Sequence, residues 1–124
     1  MSEKIKVLIV DDDLNICKAL QRPLSRDGYA VNILTSPQEV VSAHNDTKYD
    51  IIFMDTEMPH PVGYEICAEL RQQDLGVVII GMSSERGYEK QWMGAGANHF
   101  YYKKVEGLGK DIESLIQQYL ANKN

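Results

Sequence analysis

The sequence predicts an α/β protein in which a parallel β-sheet lies between two layers of helices. Strand-like and helix-like segments alternate five times along the 124 residues, and such alternation is typical of a doubly wound sheet. Three of the strand-like segments are almost continuously apolar, as expected for strands that helices cover on both faces. No internal repeat or linker rich in Pro, Gly and Ser divides the chain, so we interpret residues 1–124 as a single domain.

The five strands are predicted in chain order from their apolar residues. Segments 5–10, 50–54 and 77–80 are apolar runs rich in β-branched residues, so we expect them at the centre of the sheet. Segments 29–34 and 99–103 contain polar residues within the run, which is typical of strands nearer an edge. Two marginal strands around three buried strands favour the order 2-1-3-4-5, that is, a (βα)5 flavodoxin-like three-layer sandwich.

The helices between the strands are predicted from apolar residues that recur three and four positions apart. These residues are Leu14, Cys17, Leu20 and Leu24 in the first helix, Ile66, Cys67 and Leu70 in the third, and Leu108, Ile112, Leu115, Ile116, Tyr119 and Leu120 in the fifth. Asp13 is expected to cap the first helix, and Pro23 to kink or shorten it, because proline lacks an amide hydrogen. Residues 36–39 read Ser-Pro-Gln-Glu, which predicts a capping box at the start of the second helix.

The composition limits the classes of function. Lys and Arg total 13 against 18 Asp and Glu, which leaves a net charge of −5 and no basic stripe, so direct binding to nucleic acid is not expected. Cys17 and Cys67 have no paired spacing, and neither a signal peptide nor a long apolar segment accompanies them. We therefore expect a cytoplasmic protein with reduced thiols and no membrane attachment.

Polar side chains follow four of the predicted strands. In a doubly wound sheet the carboxyl ends of the strands border the binding crevice, and here the residues that follow them include three aspartates at 11–13, Asp55, Ser83 and Lys103. Clustered carboxylates repel one another, so a cation is expected among them, and an all-oxygen ligand set favours Mg²⁺. Asp55 is then a candidate nucleophile that accepts a phosphoryl group, while the metal and Lys103 neutralise its charge.

Four motifs carry a resemblance to a known family. They read VLIVDDD at 7–13, DIIFMDTEMP at 50–59, IIGMSS at 79–84 and AGANHFYYKK at 95–104. In this order and at these intervals they resemble the receiver domain of two-component response regulators, in particular the stand-alone chemotaxis-type regulators. The resemblance implies a signalling domain that takes a phosphoryl group from a sensor histidine kinase or a histidine phosphotransfer protein, rather than a metabolic enzyme.

The resemblance also implies a role for each matching residue at the metal site. Asp11 and Asp12 match the metal-binding acids, with Asp12 as the direct ligand, and Asp55 matches the phosphoryl acceptor. Glu57 lies where the family binds the metal through a backbone carbonyl. The implied cofactor is Mg²⁺, for which Mn²⁺ could substitute.

Further residues match the parts of the family that respond to phosphorylation. Ser83 and Lys103 match the groups that bind the phosphoryl oxygens, and Phe100 lies with Ser83 at the switch positions, although a core role explains its ring equally well. The fourth helix, fifth strand and fifth helix would then contact a downstream target or fused output domain, or form a phosphorylation-dependent homodimer. Tyr88 and Trp92 are candidate anchors of this surface, and packing between helices is the alternative explanation of their spacing.

The sequence departs from the family pattern in three places. Lys104 stands where the family usually has a proline after a cis bond, so we expect a loop that places Lys103 differently. Pro61 and Val62 replace the more usual Met-Asp, which predicts a stiffer loop after the acceptor. Glu57 and Glu85 put acids at two variable positions that influence the lifetime of the phosphoryl group in the family, and the sequence does not determine the sign of their effect.

Two other functions compete with this interpretation. One is a receiver-fold interaction scaffold that works without phosphorylation, which Lys104 mildly favours. The other is a small phosphatase with an aspartate nucleophile, which the motif IVDDD alone would suggest. The chain is interpreted either as a stand-alone receiver or as the receiver of a longer protein.

Overall fold

The structure is a computed structural model that describes residues 4–59, 62–104 and 106–121. Its strands are β1 (Lys6–Val10), β2 (Ala30–Leu34), β3 (Ile51–Asp55), β4 (Val78–Ser83) and β5 (His99–Tyr102). They form one parallel sheet in the order β2-β1-β3-β4-β5, so the predicted fold class and strand order are confirmed. Strand β4 continues beyond its predicted end at residue 80, because Asp55 at the end of β3 still pairs with Met82.

The helices cover both faces of the sheet. They are α1 (Leu14–Arg26), α2 (Val40–Thr47), α3 (Gly63–Gln73), α4 (Glu89–Gly94) and α5 (Leu108–Leu120). Helices α1 and α5 bury their apolar residues with Val7 and Ile9 of β1, whereas α2, α3 and α4 do so with Leu8 and Val10. We call these the α1/α5 core and the α2–α4 core. None of the helices in the described parts of the chain is long and apolar enough to span a bilayer.

The ends of the helices differ in part from the predictions. Asp13 does cap α1, because its carboxylate accepts a hydrogen bond from the amide of Asn15 at 2.9 Å. Helix α1 nevertheless runs through Pro23 to Arg26, so the helix is not shortened at the proline, and the alternative expectation of a kink stays a prediction. A proline lacks only its own amide donor, so the helix can continue for one more turn, and the carbonyl of Pro23 still accepts from the amide of Asp27 at 3.0 Å.

Two further predictions on the helices were wrong. Residues 37–39 form a short 3₁₀ turn before α2, and the side chain of Ser36 makes no capping hydrogen bond, so the capping box is absent there. Leu14 was predicted to belong to the apolar stripe of α1, but 45% of its surface is exposed. It is the first residue of α1, beside the carboxyl edge of the sheet, where the apolar core has ended. The predicted stiffness of the loop at Pro61 lies outside the described residues.

Backbone hydrogen bonds continue past the ends of the strands at the carboxyl edge. The amide of Thr56 donates to the carbonyl of Met82 at 2.9 Å, and the amide of Lys103 donates to the carbonyl of Ser83 at 2.8 Å. The amide of Asp11 likewise donates to the end of β2 at 3.1 Å. The residues directly after the strands are therefore held by the sheet itself, which positions their side chains at one edge.

Candidate functional site

Three aspartates meet at the carboxyl edge of the sheet. Asp11 directly follows β1, Asp12 is the next residue, and Asp55 is the last residue of β3. One carboxylate oxygen from each lies within 4.8 Å of the other two. Asp11 and Asp55 are 1% and 3% exposed, whereas Asp12 is open to solvent. The structure thus brings together the three side chains that the sequence suggested as metal ligands.

Lys103 places its ammonium between the two buried carboxylates. Its Nζ lies 2.9 Å from Oδ1 of Asp55 and 3.2 Å from Oδ2 of Asp11. The backbone amide of Lys103 is bonded to the end of β4, and its side chain reaches the acid cluster even though Lys104 follows it. A placement of Lys103 different from that in the family stays a prediction. The side chain of Lys104 points elsewhere and lies 4.0 Å from the carboxylate of Asp111.

Burial and charge set the protonation behaviour of this pair. Burial raises the pKa of Asp55 to about 6, and the negative charge of Asp11 adds to the rise, whereas the ammonium of Lys103 opposes it. For Lys103, burial alone would lower the pKa, but its contacts with Asp55 and Asp11 outweigh this effect and raise it. At neutral pH Asp55 is therefore mainly a carboxylate and Lys103 an ammonium, which are the forms that a nucleophile and its electrostatic partner require.

The oxygens of the acid cluster fit a hard divalent cation. Oδ1 of Asp55 is buried, and among the described residues its charged partner is the ammonium of Lys103 at 2.9 Å, in a geometry outside that of a regular hydrogen bond. One ammonium also neutralises only one of the two buried carboxylates. Asp12 leaves the cluster open to water on one side. An all-oxygen set of this kind with access to water is suited to Mg²⁺.

Ser83 at the end of β4 is fully buried, and its hydroxyl already has partners. It donates to Oε1 of Glu57 at 2.6 Å and accepts from the amide of Glu85 at 2.9 Å. The hydroxyl of Ser84 donates to the other carboxylate oxygen of Glu57 at 3.3 Å. Sequence reasoning gave Glu57 two roles, a backbone carbonyl that binds the metal and an influence on the lifetime of the phosphoryl group, and both stay predictions. Its side chain bridges the two serines, a contact that no local sequence pattern indicates.

Trp92, which we predicted as an anchor for a partner, is completely buried. Its ring lies in the α2–α4 core, so the role of a partner-facing anchor is wrong for Trp92 and the alternative, packing between helices, accounts for its position. The physical reason is the space above Gly81, where a Cβ atom would lie under 3.0 Å from the indole. Tyr88 and Phe100 are half-buried and pack against the same core, so core contacts account for part of both rings.

Sequence reasoning missed Thr56, the residue after Asp55. Thr56 is 2% exposed, and its hydroxyl donates to the carbonyl of Met82 at 2.7 Å. The same hydroxyl accepts a hydrogen bond from Nε1 of Trp92, also at 2.7 Å. A hydroxyl directly after a buried strand needs partners, which was the available signal, although its partners could not be named from the sequence.

The fold and the acidic edge together define the class of protein, a receiver-type signalling domain. The sequence profile of the family described as "Response regulator receiver domain" matches residues 7–115. The chain therefore belongs to the family of response regulator receiver domains, which confirms the resemblance and places the chain in two-component signalling.

Sequence relatives include response regulators and transcriptional regulators. The chain is 31% identical over 115 residues to the response regulator ArlR of Staphylococcus haemolyticus, a match that covers 90% of this chain and 52% of that protein. It is 26% identical over 103 residues to the transcriptional regulatory protein ResD of Bacillus subtilis, covering 82% of this chain and 43% of that protein. The chain thus spans about half the length of these relatives.

Solved structures share the fold. The response regulator TrrA of Thermotoga maritima, in complex with Mg(2+)-BeF, has a TM-score of 0.84 and 24% identity over 95% of this chain and all of that chain. A CheY-like receiver domain protein of Methanospirillum hungatei has a TM-score of 0.89 and 23% identity over 97% of this chain and 96% of that chain. At these identities the two likenesses bear on the fold alone.

Proposed function

We propose that this receiver domain accepts a phosphoryl group on Asp55 and thereby switches the surface formed by α4, β5 and α5. The observation that carries the proposal is the contact of one lysine ammonium with two buried carboxylates, those of Asp55 and Asp11, with Asp12 beside them. Charged groups clustered in a buried site cost stability, so they indicate a functional site rather than a structural one. The lysine ammonium suits a transferred anionic group, whose negative charge it can partly neutralise.

Asp11, Asp12 and Asp55 are the residues proposed to hold Mg²⁺, with Mn²⁺ as a substitute and the backbone carbonyl of Glu57 as a further ligand. When bound, the ion would neutralise negative charge on the phosphoryl oxygens and on the carboxylates. The structure of TrrA with Mg(2+)-BeF supports this choice by analogy.

The transfer itself needs little more than positioning and charge. An oxygen of Asp55 forms a bond to phosphorus while the phosphorus–nitrogen bond of the donor phosphohistidine breaks, and the imidazole leaves with the electron pair. Lys103, held 2.9 Å from Asp55, shares the negative charge that the acceptor carries into the reaction. The donor is a sensor histidine kinase or a histidine phosphotransfer protein, as the membership of the family implies.

Ser83 is the proposed link between transfer and response. Its hydroxyl now donates to Glu57 at 2.6 Å, and in the phosphorylated protein it would donate to a phosphoryl oxygen instead. Glu57 would then lose a partner while facing a new anion, so it is proposed to oppose phosphorylation and shorten its lifetime. Glu85 contacts Ser83 through its backbone amide, which leaves its side chain as a second group proposed to act on lifetime. Phe100, half-buried on β5, is the proposed switch aromatic.

The wider setting is part of the same proposal. The domain is taken to be residues 1–124, acting in the cytoplasm, where the free and buried Cys17 and Cys67 would stay reduced. Since the relatives are about twice as long as the matched region, the response would reach either a fused output domain or a separate target, with a phosphorylation-dependent homodimer as one form of output. Nucleic acid and membrane are not proposed as direct partners of this domain.

The intact mass after incubation with acetyl phosphate and Mg²⁺ tests the proposal. We expect a gain of one phosphoryl group by the native protein, and no gain by Asp55→Asn or after addition of EDTA. Asp46→Asn is the matched control, because Asp46 is an exposed aspartate near the end of α2, which leads to the start of β3 and so lies toward the opposite edge of the sheet. This variant should gain the group normally. An unchanged native mass would refute the phosphoacceptor function and favour the interaction scaffold.

A further inference from the structure

Trp92 occupies a pocket between the sheet and the start of α3, next to two glycines. It is the single tryptophan of the chain, and its side chain is completely buried. A Cβ atom at Gly81 of β4 would lie under 3.0 Å from three atoms of the indole. A Cβ atom at Gly63, the first residue of α3, would lie 2.7 Å from Cζ2 and 2.9 Å from Cη2. The ring therefore fills space that only glycine leaves open at both positions.

The indole is hydrogen-bonded to the backbone segment that carries the acceptor. Its Nε1 donates at 2.7 Å to the hydroxyl of Thr56, the residue after Asp55. That hydroxyl donates at 2.7 Å to the carbonyl of Met82, the residue before Ser83. The hydroxyl of Thr56 thus joins the end of β3 to β4, and the indole of Trp92 donates to the same hydroxyl.

Helix α4 depends on this side chain for its attachment to the sheet. Trp92 is the only buried residue among Glu89–Gly94, and no side chain caps the start of the helix. A six-residue helix with one buried side chain has little stability of its own. A change in the position of the indole therefore changes the position of α4.

We propose that Trp92 is a positioning residue that couples the state of Asp55 to the position of α4. The inference rests on the proposed function, because the signal is the exchange of the Ser83 hydroxyl from Glu57 to the phosphoryl group. That exchange draws the end of β4 toward Asp55 and moves the carbonyl of Met82. The hydroxyl of Thr56 follows its acceptor, and the indole follows the hydroxyl.

The proposed coupling requires the hydroxyl of Thr56. Thr56→Val keeps the shape of the side chain but removes the hydroxyl, so the N–H of Trp92 loses its partner and its side-chain link to Met82. The backbone amide of residue 56 still donates to the carbonyl of Met82, so the strand pairing itself is kept. Thr56→Ser restores the hydroxyl and is the conservative variant that should rescue the link. A merely structural role for the bond would instead alter the stability of the protein and leave its response to phosphorylation intact.

The indole N–H gives the measurement, because one tryptophan yields one indole cross-peak in a ¹H–¹⁵N correlation spectrum. Spectra of the full chain are recorded with Mg²⁺ before and after acetyl phosphate, and the phosphorylated fraction is determined in the same samples by intact mass. We expect the native cross-peak to move as that fraction rises. At matched phosphorylated fractions, Thr56→Val should lose most of the movement and Thr56→Ser should retain it.

The outcomes separate the coupling from the proposed function. A native protein that gains the phosphoryl group without movement of the cross-peak overturns the coupling and leaves the phosphoacceptor function standing. A Thr56→Val protein that is less stable in urea but keeps the full movement also overturns it. No mass gain by the native protein would overturn both, because the coupling then has no signal to transmit.

Discussion

Gly81→Ala should destabilise the protein markedly, although it adds only one methyl group. Gly81 lies inside the buried strand β4, and the new Cβ would lie under 3.0 Å from Cγ, Cδ2 and Cε2 of Trp92. The indole cannot easily rotate away, because it is fully buried and bonded to Thr56 at 2.7 Å. The overlap is with a rigid ring and not with the free end of a flexible side chain.

The expected cost follows from this rigidity. Overpacking of a well-packed core typically costs about 1–3 kcal/mol, and we expect the upper part of that range here, about 2–3 kcal/mol. For a domain of this size, each kcal/mol lowers the melting temperature by roughly 3–5 °C, so Tm should fall by roughly 10 °C. Urea unfolding should show a lower midpoint with an unchanged m value, since the surface exposed on unfolding is nearly the same.

Gly109→Ala in α5 is the matched control, because nothing lies within 4 Å of a Cβ atom at that position. The same substitution should there be neutral or stabilise by up to about 1 kcal/mol, since alanine favours a helix over glycine. In a Trp92→Ala background, which lacks all three overlapping atoms, the Gly81→Ala change should cost clearly less. A Gly81→Ala protein as stable as the native one would refute the tight glycine pocket described here.

Three further predictions use other parts of the structure. Burial raises the pKa of both Cys17 and Cys67 to about 11, so Ellman's reagent should react with neither thiol in the native protein at mildly alkaline pH, and with both after unfolding; rapid reaction in the folded state would contradict their burial. The hydrogen bond from His44 lowers the pKa of Asp74. The stability that Asp74 contributes is therefore present above its unfolded pKa of about 3.9 and is lost as the pH falls through the lower folded value. Urea midpoints should show Asp74→Asn less stable than the native protein at neutral pH, by a difference that shrinks in strong acid, and a difference independent of pH would count against the pair. Glu57→Gln should phosphorylate faster with acetyl phosphate, by roughly fivefold if about 1 kcal/mol of repulsion is removed, and slower labelling would show that the carboxylate assists transfer.

The fold could be predicted because its signals are local. The apolar runs that became β1, β3 and β4 each need cover on both faces, and that requirement alone makes them central. The limits of β4 could not be predicted, since Gly81 and Met82 interrupt the β-branched run and the strand continues only because β3 pairs with it.

The site was only partly accessible from the sequence. Asp11, Asp55 and Lys103 could be expected to meet because parallel strands end at one edge, so position after a strand is enough to bring them together. The burial of Trp92 could not be predicted, because its pocket is made by glycines in two other elements. The contact of Glu57 with Ser83 is equally non-local, since it joins the loop after β3 to the end of β4.

In the resting protein the carboxylate of Glu57 accepts the hydrogen bond from Ser83, so it takes the place that a phosphoryl oxygen would take after phosphorylation. Under the proposed function, phosphorylation replaces one acceptor of that hydroxyl by another and leaves no buried hydroxyl unpaired in either state. The balance between the two states is then a difference between two similar free energies, and about 1.4 kcal/mol changes their ratio tenfold. Substitutions at position 57 could therefore set how much resting activity the protein has, while the acceptor, the metal ligands and the lysine stay unchanged.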